Sequence, residues 1–281
     1  MSLNHILGVD HVVVAVRDLA LSAKTWEELG FTVSPRGLHS SHMGSANHTI
    51  MLQDDYLELL GIVSDTDQNK PTRDFLTKHE GIERIAFTTD DAAAGAAEIT
   101  ARGFPAIGPV HFGRPVPLPG GGEADAKFNV FRWPLDEQPG GIRIFACQHL
   151  TRENVWIPVL QQHANSAVAL RRVEILSADP QAAAAHLSQL IDEPAHQEGA
   201  VWRVASGRSR ADILFYTAET FAERYPDAVR EGAASQGVAA LVLATRDLDA
   251  AATASGAIRH GEVASVPAAR ASGSVLSFVP A

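Results

Sequence analysis

Residues 8–19 read GVDHVVVAVRDL: a glycine, a run of β-branched residues, and an aspartate leading into a helix-favouring stretch. Valine is stiff at χ1 and packs well on a pleated surface, so the run predicts a strand. The phrase recurs. GIERIAFTTDDA begins at Gly81, ALRRVEILSADP at Ala169 and GVAALVLATRDL at Gly237, each a short strand-like run ending near an aspartate: Asp18, Asp91, Asp179 and Asp247. Recurrence on this scale is the mark of one supersecondary unit used several times.

After each run comes an alanine-rich or amphipathic stretch, LALSAKTWEELG, AAAGAAEITARG, PQAAAAHLSQLI and LDAAATASG. The first two close on a glycine suited to a helix C-terminus. In the first copy three further strand-like runs follow, FTVSP, NHTIML and YLELLGI, separated by polar turn residues. The unit is therefore βαβββ. Four such units predict an α+β fold in which they pair into two cupped, mixed β-sheet domains. The fourth reads as abbreviated, with IRHGEVASV and SVLSFVPA as its final strands. The interval from Asp91 to Asp179 is the longest, and LTRENVWIPVLQQHANSA within it has little strand pattern, which puts the boundary near 150–166. The expected domains are 1–155, carrying the candidate site, and 166–281.

The chain has 281 residues, 46% of them hydrophobic, and a formal net charge of −10. Nucleic acids and anionic membranes are bound by clustered Lys and Arg, so neither is an expected partner; a small molecule is. The single cysteine, Cys147, forms no internal disulfide, and MSLNHILGVD lacks the pattern of a secretory signal. A cytoplasmic location is expected. The second domain's cup is a candidate surface for homodimerisation.

The βαβββ unit, opening on DHVVVAVRDL and closing on YLELLGI, resembles the vicinal oxygen chelate superfamily, in its glyoxalase-like branch. The resemblance runs through RGLHSSHMGSANHTIML, GIERIAFTTDD, FACQHLTRENVW and HANSA, dense over residues 8 to about 170 and present as pattern beyond. It implies two units facing each other in a partly closed barrel, with a metal and substrate inside. It also implies that the first and last strands of a unit are neighbours.

Alternation along β-strands puts His11, Val13 and Ala15 on one face, and Tyr56, Glu58 and Leu60 on one face of the closing strand. Glu58 is a carboxylate in an otherwise apolar strand, costly to bury unless paired or coordinated. His11 and Glu58 are thus candidate ligands of a divalent metal (Fe, Mn, Ni or Zn), with no organic cofactor expected. The residues aligned with His11 in the other copies are Arg84, Arg172 and Ala240, none a usual ligand. The resemblance would call for a second His where Arg84 stands. His149 is the candidate third ligand, and Glu58 and His149 are the candidate catalytic groups. Arg84 is either an ion-pair partner of Glu58 in place of the metal or a clamp for a substrate carboxylate. His39 and Asn47 are candidate substrate contacts, against a plainer expectation that HSSHMGSANH is solvated surface. PVPLPGGGEADAK reads as a hairpin tip or lid, because it lacks the elements of a P-loop. Cys147 reads as inert core.

Two functions follow from this. One is a metal-assisted lyase, isomerase or dioxygenase acting on a small oxygen-bearing molecule. The other is a metal-free protein that sequesters a small molecule.

Overall fold

Each of the four recurring aspartates caps a helix. Asp18 accepts a hydrogen bond from the backbone N–H of Leu21, Asp91 from Ala93 and Ala94, Asp179 from Ala182, and Asp247 from Asp249 and Ala250. The carboxylate satisfies N–H groups that a helix leaves unpaired in its first turn, so strand, aspartate and helix recur as one phrase.

The computed structural model describes residues 3–118, 120–207 and 209–281. The first unit comprises β1 (Val9–Val16), α1 (Leu19–Glu28), β2 (Gly37–Leu38), β3 (Ser45–Met51) and β4 (Tyr56–Ile62). A helix, α2 (Lys70–Lys78), leads to the second unit of β5 (Gly81–Thr88), α3 (Ala92–Ala101), β6 (Ile107–Pro117), β7 (Glu123–Arg132) and β8 (Arg143–His149). The third holds β9 (Ala167–Leu176), α4 (Pro180–Ile191), β10 (Ala195–Glu198), β11 (Val201–Ala205) and β12 (Asp212–Tyr216). Helices α5 (Ala218–Arg224) and α6 (Asp227–Arg230) then precede the fourth unit: β13 (Gly237–Thr245), α7 (Leu248–Ser255), β14 (Ile258–His260), β15 (Val263–Val266) and β16 (Val275–Pro280).

The strands form two eight-stranded mixed sheets of one topology, β2-β3-β4-β1-β5-β8-β7-β6 and β10-β11-β12-β9-β13-β16-β15-β14. In the first, β1 runs parallel to β4 and antiparallel to β5, and β5 runs parallel to β8. The opening and closing strands of a unit are therefore neighbours, as expected from the resemblance.

Two local expectations are corrected. FTVSP is not a strand: Pro35 has no N–H to offer a ladder, and Ser34 instead bonds Thr49 in both directions, leaving Gly37–Leu38 as the short edge strand. The fourth unit is complete, because IRHGEVASV is two strands folded at Gly261, whose φ of +56° makes the turn. The predicted hairpin tip joins β6 to β7, with Leu118 bonding Gly121 and Gly122, although Pro119 itself lies outside the described residues.

The backs of the two sheets share one core. Val12, Val14, Leu57 and Phe87 of the first belong to the same buried cluster as Val173, Ile175, Leu241 and Phe278 of the second. Polar ties cross the seam as well: Leu170 N–H donates to Asp55 (2.9 Å), Val9 N–H to Ser206 Oγ (3.0 Å), and Trp133 Nε1 to the Leu190 carbonyl (3.2 Å).

The concave faces differ. In the second sheet Phe221, Tyr225 and Val229, from the α5–α6 region, pack into the cup against Leu176, Leu214 and Tyr216. Glu174, fully buried there, is held by Tyr225 Oη (2.8 Å), Arg172 (3.2 Å) and Arg224 (3.3 Å). These groups neutralise and fill the centre of that cup. The first cup keeps a cavity, lined by His11, His39, Glu58, Arg84 and Arg114. Among the described residues no helix is long and apolar enough to cross a membrane.

Candidate active site

The register of the first sheet fixes which side chains meet. His11 stands opposite Tyr56 and Val13 opposite Glu58, so His11 and Glu58 share the concave face one step apart. Across the sheet's internal two-fold, Arg84 stands opposite Arg143 and Ala86 opposite Phe145. The positions equivalent to His11 and Glu58 in the second unit are thus Arg84 and Phe145.

Glu58 lies between two imidazoles. His11 Nε2 is 3.7 Å from Oε2, and His39 Nε2 is 3.8 Å from Oε1. Each ring is anchored from behind through Nδ1, His11 by Asp10 Oδ1 (2.7 Å) and His39 by Ser45 Oγ (2.8 Å). Asn47 Nδ2 donates to Glu58 Oε1 at 2.6 Å, and Asn47 Oδ1 is buried without a partner. Tyr56 stacks on His11 with ring centroids 4.2 Å apart and its hydroxyl 3.5 Å from Nε2.

The protonation states suit a ligand set. Burial works to raise the Glu58 carboxyl, but the His11 and His39 rings, the Asn47 hydrogen bond and Arg84 outweigh it and lower its pKa. Burial pushes the His39 imidazole down to about 4, so it is neutral near pH 7. Burial also keeps the Tyr56 hydroxyl protonated.

His149 takes a different place from these. Its Nε2 lies 3.0 Å from Asp10 Oδ1, and among the described residues no ion pair joins it to Glu58. Its ring packs against Trp156 and Phe128, and its Nδ1 is buried without a partner. The strand face it shares does turn inward, since Phe145 and Cys147 line the cup. Asp10, Cys147 and His149 present ligand atoms all within 4.8 Å of one another. In that group Asp10 is already engaged by His11, His149 and Thr88, and burial drives the thiol's pKa well up.

Arg84 reaches into the cup, but its Nη2 pairs with the adjacent Glu83 at 2.7 Å, and no ion pair to Glu58 is formed among the described residues. Two further arginines line the cavity, Arg114 from β6 and Arg132 from β7. Both were readable as inward residues: Phe112, Arg114 and Val116 alternate along one strand, and Phe128, Val130 and Arg132 along the next. Asp10 was not readable. Strict alternation would point it away from His11, and an irregularity in the β1–β5 register between Val9 and His11 interrupts that alternation.

His11, His39 and Glu58 are candidate donors to a divalent ion, each imidazole approaching the carboxylate, although among the described residues the group whose ligand atoms all lie within 4.8 Å of one another is Asp10, Cys147 and His149. Gaps of 3.7 and 3.8 Å are too long for hydrogen bonds but suit donors each about 2.1 Å from a common ion. Imidazoles anchored through Nδ1 beside an ionised carboxylate are the usual arrangement around such ions.

The family model described as "Glyoxalase-like domain" matches residues 9–191. No match is found among curated proteins. Among solved structures, a hypothetical protein from Staphylococcus aureus superposes with a TM-score of 0.72 at 11% identity, covering 97% of this chain and 99% of that one. A variant of 4-hydroxymandelate synthase from Streptomyces coelicolor gives a TM-score of 0.60 at 12% identity, covering 98% and 93%. Methylmalonyl-CoA epimerase from Streptomyces coelicolor is 21% identical over 52% of this chain and 96% of that one, with a TM-score of 0.41. The chain belongs to the glyoxalase-like domain family.

Proposed function

We propose that the protein is a divalent-metal-dependent enzyme of the lyase, isomerase or dioxygenase type, acting on a small oxygen-bearing molecule in the first cup. The observation that carries this is the pair of imidazoles, each anchored through Nδ1 and each presenting Nε2 to one oxygen of the buried Glu58 carboxylate. His11, Glu58 and His39 hold the ion. A bound ion would polarise adjacent substrate oxygens as a Lewis acid and stabilise an enediolate-like or oxyanionic transition state.

The chain's own groups prepare the rest of the site. Asp10 fixes the tautomer of His11, and His149 acts on the pair through Asp10. Asn47 orients Glu58 with its amide N–H and turns its free Oδ1 to the substrate. Glu58, ionised and at the cavity wall, accepts a substrate proton, and Arg84 faces a substrate acid group.

One observation favours the second reading, a metal-free binding protein: Arg84 and Phe145 stand where the second unit would supply its own two ligands. Metal analysis of protein purified without chelator separates the two. The metal reading expects about one ion per chain, lost in His11→Ala. A metal-free protein unchanged by added Mn, Fe, Ni or Zn, with ligand affinity intact in His11→Ala, would establish the binder instead.

A further inference from the structure

Charge in the first cup is out of balance. Among the described residues three guanidinium groups line it, those of Arg84, Arg114 and Arg132, and Glu58 is its sole carboxylate. Glu58 is already engaged by Asn47 and flanked by both imidazoles. Neither Arg114 nor Arg132 forms an ion pair or a side-chain hydrogen bond among the described residues, and Arg84 Nε is buried with no partner. Glu83 is shared by Arg84 and Arg143, so one carboxylate serves two guanidinium groups there, and Arg114 and Arg132 have none among the described residues.

The placement is built into the fold. Arg114 is only 9% exposed, and its head passes over Gly37, where an added Cβ would lie 2.4 Å from Nη1. Arg84 and Arg132 also line two hollows that adjoin the cup, so together they stand where these spaces meet; Asp67 lines one and Glu137 the other, Glu137 being paired with His186, and neither forms an ion pair with these arginines among the described residues. Beside the arginines the wall is apolar, and the Arg84 head lies over the Phe145 ring, 5.9 Å from its centroid. Phe112 and Phe128 stack with centroids 5.1 Å apart, and Phe145 and Leu60 continue the surface.

Buried cations without partners are costly, and guanidinium forks match the geometry of planar or tetrahedral oxyanions. We infer that the cup's ligand is an organic oxyanion: an apolar, ring-sized body against the phenylalanines, with a carboxylate or phosphate head held by Arg84, Arg114 and Arg132. The inference rests on the proposed function in taking this cup as the reaction site. It does not require the ion.

The test is calorimetry on the full chain after chelator treatment, so that anion binding is read without metal. The probes are phenylacetate, phenyl phosphate and the uncharged phenylacetamide. At least one charged probe should bind about tenfold or more tightly than the amide, and which one does so identifies the head group. That preference should shrink in about 0.5 M salt. Arg132→Met should lose about tenfold or more in affinity for the charged probe while raising the Tm of the ligand-free protein, because it removes an uncompensated cation. Arg114→Met provides a second variant should either change fail to fold. Equal binding of charged and uncharged probes, no binding of either charged probe, or an Arg132→Met protein that is less stable and binds unchanged would each overturn the inference. Anion binding without any metal stoichiometry would sink the metal reading and leave this one standing.

Discussion

Asp10 Oδ1 is shared by two imidazoles, accepting from His11 Nδ1 at 2.7 Å and from His149 Nε2 at 3.0 Å. Its other oxygen accepts from Thr88 Oγ1 at 2.8 Å. Burial would raise this carboxyl, but the two rings hold it well below the usual carboxylate range. Asp10 thereby leaves His11 one free nitrogen, and that nitrogen faces Glu58. Asp10→Asn should keep the fold and weaken Mn(II) affinity about 10- to 100-fold, measured by calorimetry. Unchanged affinity would mean that His11 needs no orienting partner.

Gly37 makes room for a functional side chain rather than a turn. A Cβ there would meet Arg114 Nη1 at 2.4 Å and Asn47 Oδ1 at 2.6 Å. Gly37→Ala should displace the Arg114 head, lowering affinity for the anionic probe severalfold while changing Tm little. An effect confined to Tm would assign Gly37 a packing role alone.

The single core behind the two sheets predicts that the halves do not part cleanly. A fragment ending near residue 165 would expose Val12, Val14, Leu57 and Phe87 on the back of its sheet. Such a patch drives association in water. The fragment should aggregate or fail to unfold cooperatively, as read by light scattering and thermal melts. A soluble, cooperatively folded fragment would show that the second half is dispensable for stability.

Asp55 provides a pH test at the same seam. Burial raises its carboxyl to about 7, against the opposing pull of the Leu170 N–H and Arg210. The folded chain therefore binds a proton that the unfolded chain has released. The stabilisation is complete below the ordinary carboxylate value of 3.8 and is lost as pH rises through about 7. Asp55→Asn retains an acceptor for Leu170 and cannot ionise. Its melting temperature should match wild type near about pH 4 and exceed it near about pH 8, by about 1–3 kcal/mol in stability. A variant less stable at both would show that the carboxylate is tolerated in its charged form.

The fold was legible because three signals coincide at every repeat: a β-branched run, a capping aspartate and an alanine-rich helix. Where the signals were weaker the reading slipped. Gly261 hides a hairpin in what looks like one strand, and Pro35 removes a strand from an otherwise suitable run. The site was legible in part. Strand alternation brought His11 and Glu58 to one face, whereas His39 lies just beyond a two-residue strand, where no periodicity can orient it. The partner of Arg84 could not be foreseen either. Glu83 is its sequence neighbour, and the β1–β5 register shifts between Val13, opposite Arg84, and Val14, opposite Ile82.

His11, His39 and Glu58 are proposed to hold one divalent ion. The most direct measurement is a crystal structure of the full chain soaked in Mn(II), with anomalous data, alongside His11→Ala treated identically. One anomalous peak is expected within about 2.0–2.3 Å of His11 Nε2, His39 Nε2 and a Glu58 oxygen, absent from the variant. No peak there at saturating Mn(II), or a peak placed instead among Asp10, Cys147 and His149, would contradict it.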